Sequence, residues 1–276
     1  MRFGKTKSFP RHWHHNRHFP EILAAELTAI AAEIRGGQDS APILLRPICQ
    51  ALDITVVRRP SVEPGKAYLE WNHENGSPPL VLLPMVNILS WDRFCAAHEL
   101  GHYALITHYK WNPDSESGYW QTEVLCDYFA RELLLPDSLF TEAVGSDAAK
   151  ALTLCNKISR EADVPWIQTA KKMTQMDPGV FFLRIEPDRR GLIVKATSLP
   201  LEKGRRSSLS RRIPFFAIAH EAFATARERA GPVQLIVGRE DFVGSKLGEL
   251  FSELEVRSIA IEAYNQTGNV KLAALR

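Results

Sequence analysis

Residues 95–108, CAAHELGHYALITH, carry His98, Glu99, His102 and His108 in close succession. On a helix His98 and His102, four residues apart, stack on one face, so two imidazoles can grip a single ion from the same side. Glu99 lies one residue round from His98. There its carboxylate can reach a water on that ion without displacing it, the arrangement that general-base hydrolysis requires. The plainer alternative is a helix whose histidines are satisfied by ordinary hydrogen bonds. Gly101 counts against it, because a glycine inside a helix costs about 1 kcal/mol relative to alanine and marks close backbone approach. A catalytic zinc site still needs a third protein ligand.

Two residues compete for that role. His108 follows His102 by six residues, the spacing of the third histidine in metzincin peptidases. That group places a glycine three residues after the second histidine to turn the chain back, and Leu105 stands there instead. Nothing in YALIT breaks a helix, and six further helical residues are a rotation of about 240°, which points His108 away from the ion. A histidine at a helix C-terminus is favoured by the dipole in any case. The other candidate, Glu123, opens the stretch Glu123-Val124-Leu125-Cys126-Asp127, in which Glu and Asp lie four apart on one helical face. A carboxylate suits zinc as third ligand, and an acid behind an imidazole fixes its tautomer. The pair resembles the gluzincin arrangement, in which HExxH is followed a similar distance later by ExxxD. That resemblance implies that Glu123 completes the metal site and Asp127 holds a ligand histidine.

Read together, residues 94–102, FCAAHELGH, and residues 123–136, EVLCDYFARELLLP, are similar to the ImmA/IrrE family of bacterial and phage metallopeptidases. The family's pattern runs near RFxxAHELGH, then Glu, two residues, Ala, Asn, one residue, Phe-Ala, two residues, Leu-Leu, one residue and Pro. Here Cys126 stands for the usual Ala and Asp127 for the usual Asn, a change that keeps a hydrogen bond to a histidine within reach. Residues 42–57 also resemble the family's lead-in helix and strand. The likeness spans residues 40–177 and implies an α+β, zincin-like metallopeptidase domain that cuts a regulatory protein, typically a helix-turn-helix repressor, in response to stress or mobile-element signals.

The reading that follows is a zinc-dependent endopeptidase. His98, His102 and Glu123 hold the metal, Glu99 moves the proton, and Asp127 orients a ligand histidine. Tyr103, His108 and Tyr119 are the candidates for stabilising the oxyanion. A site of two histidines and one glutamate prefers Zn2+ without excluding Mn2+. The rival from another class is a DNA-binding or partner-binding regulator in which the metal only shapes the fold.

The rest of the sequence must position these residues. A chain of 276 residues, 45% apolar and 24% charged, has an ordinary globular composition and room for two domains. A net charge of +2 gives no general field for nucleic acid or anionic lipid. No run approaches the roughly 20 apolar residues of a membrane span, and residues 1–20 lack the apolar segment of a secretory signal. The four cysteines stand apart with no CxxC pair, as in a reduced, cytoplasmic protein.

Residues 1–20, with His12, His14, His15 and His18, are read as a solvated arm whose composition could bind metal loosely. Residues 21–147 are assigned to the peptidase domain. Apolar spacing predicts a helix over 21–34, then a short helix and a strand at 54–57. A hairpin is predicted over 68–86 around Asn75-Gly76. Its strand 80–83 is set at a sheet edge, because Pro78, Pro79 and Pro84 cannot donate to a ladder; such an edge could pair with an extended peptide. A helix over 91–108, capped by Ser90, carries the motif, and a second runs over 121–135 to Pro136 after a loop at 110–120. Residues 148–177 read as helices broken near 163–165. Within them 158–173 could be a helix-turn-helix, but only Lys171 and Lys172 are basic on its second helix, so direct DNA binding is not expected. Residues 178–276 form a C-terminal α/β domain: strands at 180–185, 192–196, 233–237, 256–263 and 270–275, a helix at 215–230, and a basic loop at 203–212. The family resemblance implies a GAF-like sensor there. Removing the third ligand should separate the two metal-site readings. Glu123→Ala is expected to lose far more bound metal after dialysis than His108→Ala, and the reverse order would restore the metzincin-like arrangement.

Overall fold

The computed structural model describes residues 21–71, 76–86, 89–110, 116–188, 191–198, 233–237, 252, 256, 258–263 and 270–275. By its contacts the chain divides into two compact units, residues 1–139 with 160–165, and residues 140–159 with 166–276.

The first unit contains α1 (Glu21–Arg35), α2 (Leu45–Ala51), β1 (Thr55–Arg59), β2 (Tyr68–Glu70), β3 (Leu80–Pro84), α3 (Leu89–Tyr109) and α4 (Glu116–Leu134). Helix α1 stops at Gly36, whose φ of 64° is left-handed and costs glycine little. Its buried stripe, Leu23, Leu27, Ile30 and Ile34, recurs every three to four residues and packs on α4. Thr28 Oγ1 lies 3.1 Å from the Tyr128 hydroxyl, and Arg35 Nη1 donates to the Glu132 carbonyl at 2.8 Å.

The three strands lie in the order β1-β3-β2, with β3 parallel to β1 and antiparallel to β2. Strand β3 is therefore central, which corrects its expected place at the edge. Its prolines do not oppose this. Pro78 and Pro79 precede the paired residues, the Pro79 carbonyl accepts from the Thr55 N–H at 3.0 Å, and Pro84 is the strand's last residue. The apolar run Leu80 to Leu83, with Val81 and Leu83 buried, is what a strand with neighbours on both sides requires. An edge of this sheet belongs to β2, which pairs antiparallel with β3 as the hairpin expected over 68–86 requires. Gly76 takes a φ of 69°, as a turn needs; Asn75 lies outside the described residues.

Helix α3 begins at Leu89, so Ser90 sits in its first turn and not at the cap. Asp92 does face the positive end of the dipole, and its Oδ2 is 2.8 Å from Arg58 Nη1 of β1, which ties the helix entry to the sheet. Helix α4 starts at Glu116, earlier than the loop expected over 110–120. Small and polar residues are tolerated in a first turn, whose N–H groups have no intrahelical partner. It ends before Pro136, as expected.

In the second unit, α5 (Ala148–Glu161) and α6 (Trp166–Met176) flank Asp163 at a φ of 51°, the break expected near 163–165. Strands β4 (Val180–Asp188), β5 (Gly191–Thr197), β6 (Val233–Val237), β7 (Ser258–Ala263) and β8 (Val270–Leu275) form one sheet in the order β5-β4-β8-β7-β6, every neighbour antiparallel. Helix α6 packs on β4, with the Trp166 ring edge-on to Phe182 at 5.9 Å. The helices expected as a separate segment over 148–177 thus group largely with the sheet that follows, and the division falls after Leu139 where the sequence suggested Pro178. The arm 1–20, the basic loop 203–212, the helix at 215–230 and the turn at 267–269 lie outside the described residues.

Helices α3 and α4 cross at Gly101. A Cβ placed there would come within 2.9 Å of the Cys126 Cα and 3.3 Å of its carbonyl oxygen, so the close approach expected of this glycine is real. Gly101→Ala gains about 1 kcal/mol of helix propensity but overpacks backbone against backbone, which costs roughly 1–3 kcal/mol. The variant should therefore unfold at lower denaturant concentration than the parent; an unchanged or raised midpoint would refute the tight crossing.

Candidate metal centre

The crossing brings two sets of side chains face to face: His98, Glu99 and His102 from α3, and Glu123, Cys126 and Asp127 from α4. The two imidazole rings lie 5.0 Å apart, centroid to centroid. His98 Nε2 is 3.3 Å from one Glu123 oxygen, and His102 Nε2 is 3.4 Å from the other. Ligands about 2.05 Å from a tetrahedral zinc stand about 3.3 Å from one another. Each imidazole thus stands at about that separation from one Glu123 oxygen, slightly wider than an optimal hydrogen bond. Behind this group His98 Nδ1 meets Asp127 Oδ1 at 2.9 Å, so the carboxylate accepts the Nδ1–H and leaves Nε2 turned toward Glu123.

Among the described residues, the group whose donor atoms all lie within 4.8 Å of one another, and so could hold a metal ion, is His98, His102 and Cys126, without Glu123. Cys126 is fully buried at the helix crossing. Burial pushes its thiol well above the ordinary value, and the charges of Glu123, Glu99 and Asp127 push the same way. The Glu123 carboxyl, by contrast, is held well below the usual carboxylate range by hydrogen bonds to His102 and His98. One candidate third ligand is thus already ionised, while the other must lose a proton among three carboxylates.

Burial alone disfavours a charged His98, but the hydrogen bonds to Asp127 and Glu123 outweigh it and raise its pKa to about 10. A cation entering here displaces protons, so metal affinity falls as pH falls. Glu99 is buried, and burial raises its pKa, an effect partly offset by His102, His98 and the backbone N–H of Leu69. That amide belongs to β2. The edge strand therefore reaches the site, a neighbour that three residues of unremarkable composition did not announce.

The other sequence candidates are dispersed. His108 stands on the last turn of α3, which is unbroken from Leu89 to Tyr109, so the rotation of about 240° from His102 holds. Tyr103 is buried beside Trp71, with ring centroids 5.1 Å apart, and burial raises its phenol. Tyr119 falls on α4 where side chains lie outside the described residues. Sequence reasoning treated Cys126 as one of four scattered thiols and as a replacement for the family's usual Ala; its position three residues after Glu123, on nearly the same face of α4, was the signal for its nearness to the imidazoles.

Asp127 is a positioning residue in this geometry. Asp127→Ala should weaken zinc binding about 10–100-fold, with Asp127→Asn closer to the parent because its side-chain oxygen can still accept the Nδ1–H. Titration against a competing chelator would measure both; equal losses in the two variants would mean that charge, not orientation, is what matters.

No protein-family model matches the chain, and no curated protein does. Among solved structures it is similar to a Mycobacterium tuberculosis transcriptional regulator, at 17% sequence identity and a TM-score of 0.54, over 94% of this chain and 78% of that one. At that identity the likeness is one of fold, and the chain is a mixed α+β protein of that architecture.

Proposed function

We propose that the protein is a zinc-dependent endopeptidase whose substrate is a regulatory protein. The observation that carries this reading is the meeting of His98, His102 and the ionised Glu123 carboxylate at 3.3 and 3.4 Å, with Glu99 on the adjoining helical position. The resemblance of the two motifs to ImmA/IrrE metallopeptidases supports the same reading, and points to a helix-turn-helix repressor as substrate. The solved structure of similar fold is a transcriptional regulator by name, which fits a regulatory setting.

A divalent cation held by His98, His102 and Glu123 polarises a carbonyl and lowers the pKa of water. The remaining work falls to the chain's own groups. Glu99, with its pKa raised by burial, takes a proton from the attacking water and hands it to the leaving amine. Asp127 fixes the His98 tautomer. The three-residue edge strand β2 offers backbone groups along which an extended peptide can lie. We assign no oxyanion stabiliser.

No helix among the described residues is long and apolar enough to cross a membrane, and we read the protein as cytoplasmic. The five-stranded antiparallel sheet of the second unit suits the GAF-like sensor that the resemblance implies. The alternative, a DNA-binding regulator with a structural metal, needs an exposed basic helix. In α6 Lys172 is 1% exposed, and Trp166, Gln168, Thr169 and Ala170 are buried with it, so this helix is poorly suited to a major groove.

Incubating the purified protein and zinc with the repressor encoded beside its gene separates the readings: a cut product supports the peptidase, whereas a DNA gel shift without cutting supports the regulator. Glu99→Gln is expected to lower cleavage by about 100-fold or more while metal content stays at the parental level. A Glu99→Gln protein as active as the parent would overturn the mechanism.

A further inference from the structure

One opening in the first unit lies away from the imidazoles. It encloses about 600 Å³ between α2, β1 and the start of α3, within the roughly 300–1,000 Å³ of small-molecule sites. Ala96 of α3 lines it, and that residue stands about 200° round the helix from His98. The cavity therefore opens on a different face of α3 from the metal centre.

Its walls have two chemistries. Ile54, Val56, Leu83 and Ala96 give an apolar body, while Arg46, Arg58, Arg93, Asp92 and Asp163 give a charged one. Three cations against two anions leave one positive charge. Arg58 is committed, donating through Nη1 to Asp92 at 2.8 Å and to the Pro84 carbonyl at 2.6 Å. Arg93 gives one bond, from Nη2 to the Ile43 carbonyl, lines the cavity, and has its pKa lowered by burial with only the field of Asp163 to offset it. A carboxylate beside such a guanidinium replaces part of the stabilisation that burial removes. Arg46, exposed at the rim, supplies a second fork.

We propose that this cavity binds a small amphipathic carboxylate, its apolar body against Ile54, Val56, Leu83 and Ala96 and its carboxylate on Arg93 and Arg46. The guanidinium fork matches a carboxylate in two parallel hydrogen bonds. One residual positive charge suits a monoanion better than a phosphate dianion. The site is independent of the metal centre and of the peptidase reading.

Calorimetric titration of the full-length protein with decanoate, kept below its micellar concentration, tests this. Decanol, decylamine and decyl phosphate are the size-matched comparators. Decanoate should bind and raise Tm, with decanol and decylamine weaker by about tenfold or more, the ratio expected for losing a charge-assisted hydrogen bond. Arg93→Gln should weaken decanoate by a similar factor. Arg46→Gln, at an exposed position, should do so without altering the Tm of the unliganded protein, which separates lost binding from lost folding. Absence of decanoate binding, equal binding of all three uncharged and charged decyl probes, or indifference to both variants would overturn the site; tighter binding of decyl phosphate would overturn the carboxylate assignment.

Discussion

The crossing of α3 and α4 at Gly101 is the constraint on which the site depends. With a would-be Cβ only 2.9 Å from the Cys126 Cα, the two backbones are as close as a missing side chain allows. That closeness is what lets Glu123, a residue with two methylenes, set each of its oxygens near a different imidazole. An ångström of separation would convert 3.3 and 3.4 Å into distances that no single cation could span, since metal–ligand lengths vary by only about 0.2 Å. The glycine's unfavourable helix propensity is thus offset through the geometry it permits across the interface, not within its own helix. The sheet contributes from the other end, where Arg58 on Asp92 fixes the entry of α3 and so its rotation about its own axis.

The same crossing concentrates charge. Three carboxylates, Glu99, Glu123 and Asp127, surround two imidazoles, and two of the acids are driven in opposite directions by their surroundings. Glu123 is ionised by its histidine partners, and Glu99 is pushed toward the neutral form by burial. Divergent environments thus give neighbouring acids in one site opposite protonation tendencies.

What the sequence made legible follows from how local each signal is. The histidine spacing, the Glu123–Asp127 spacing and the Pro136 stop all act within one helix, and the His98–Asp127 contact follows once two such faces are set opposite each other. The strand order does not. Whether β3 is central or peripheral depends on pairing with two earlier strands, β1 25 residues back and β2 10 to 14 residues back, and its flanking prolines spoke for an edge because their placement just outside the ladder is a tertiary fact. β2 is too short for a period to show. The start of α4 was hidden because a first turn tolerates loop-like residues. Cys126 was read by type, as one of four scattered thiols and as a replacement for the family's usual Ala, when its angular position beside Glu123 was the more informative property.

Cys126 also bears on what kind of metal site this is. Structural zinc sites are closed by four protein ligands, whereas catalytic ones keep a position open. Drawing Cys126 in as a fourth ligand would place a thiolate among three carboxylates, at the point where the helices are in closest contact, with the cation's own charge deprotonating the thiol. Leaving it protonated, as packing of the crossing, retains two imidazoles and one carboxylate, with Glu99 and the edge of β2 beside the open position. The fold alone does not choose between these, since one architecture serves regulators and enzymes alike. What separates them is the fourth position, which a second anionic ligand from the helix crossing would fill and which Glu99 and β2 otherwise adjoin.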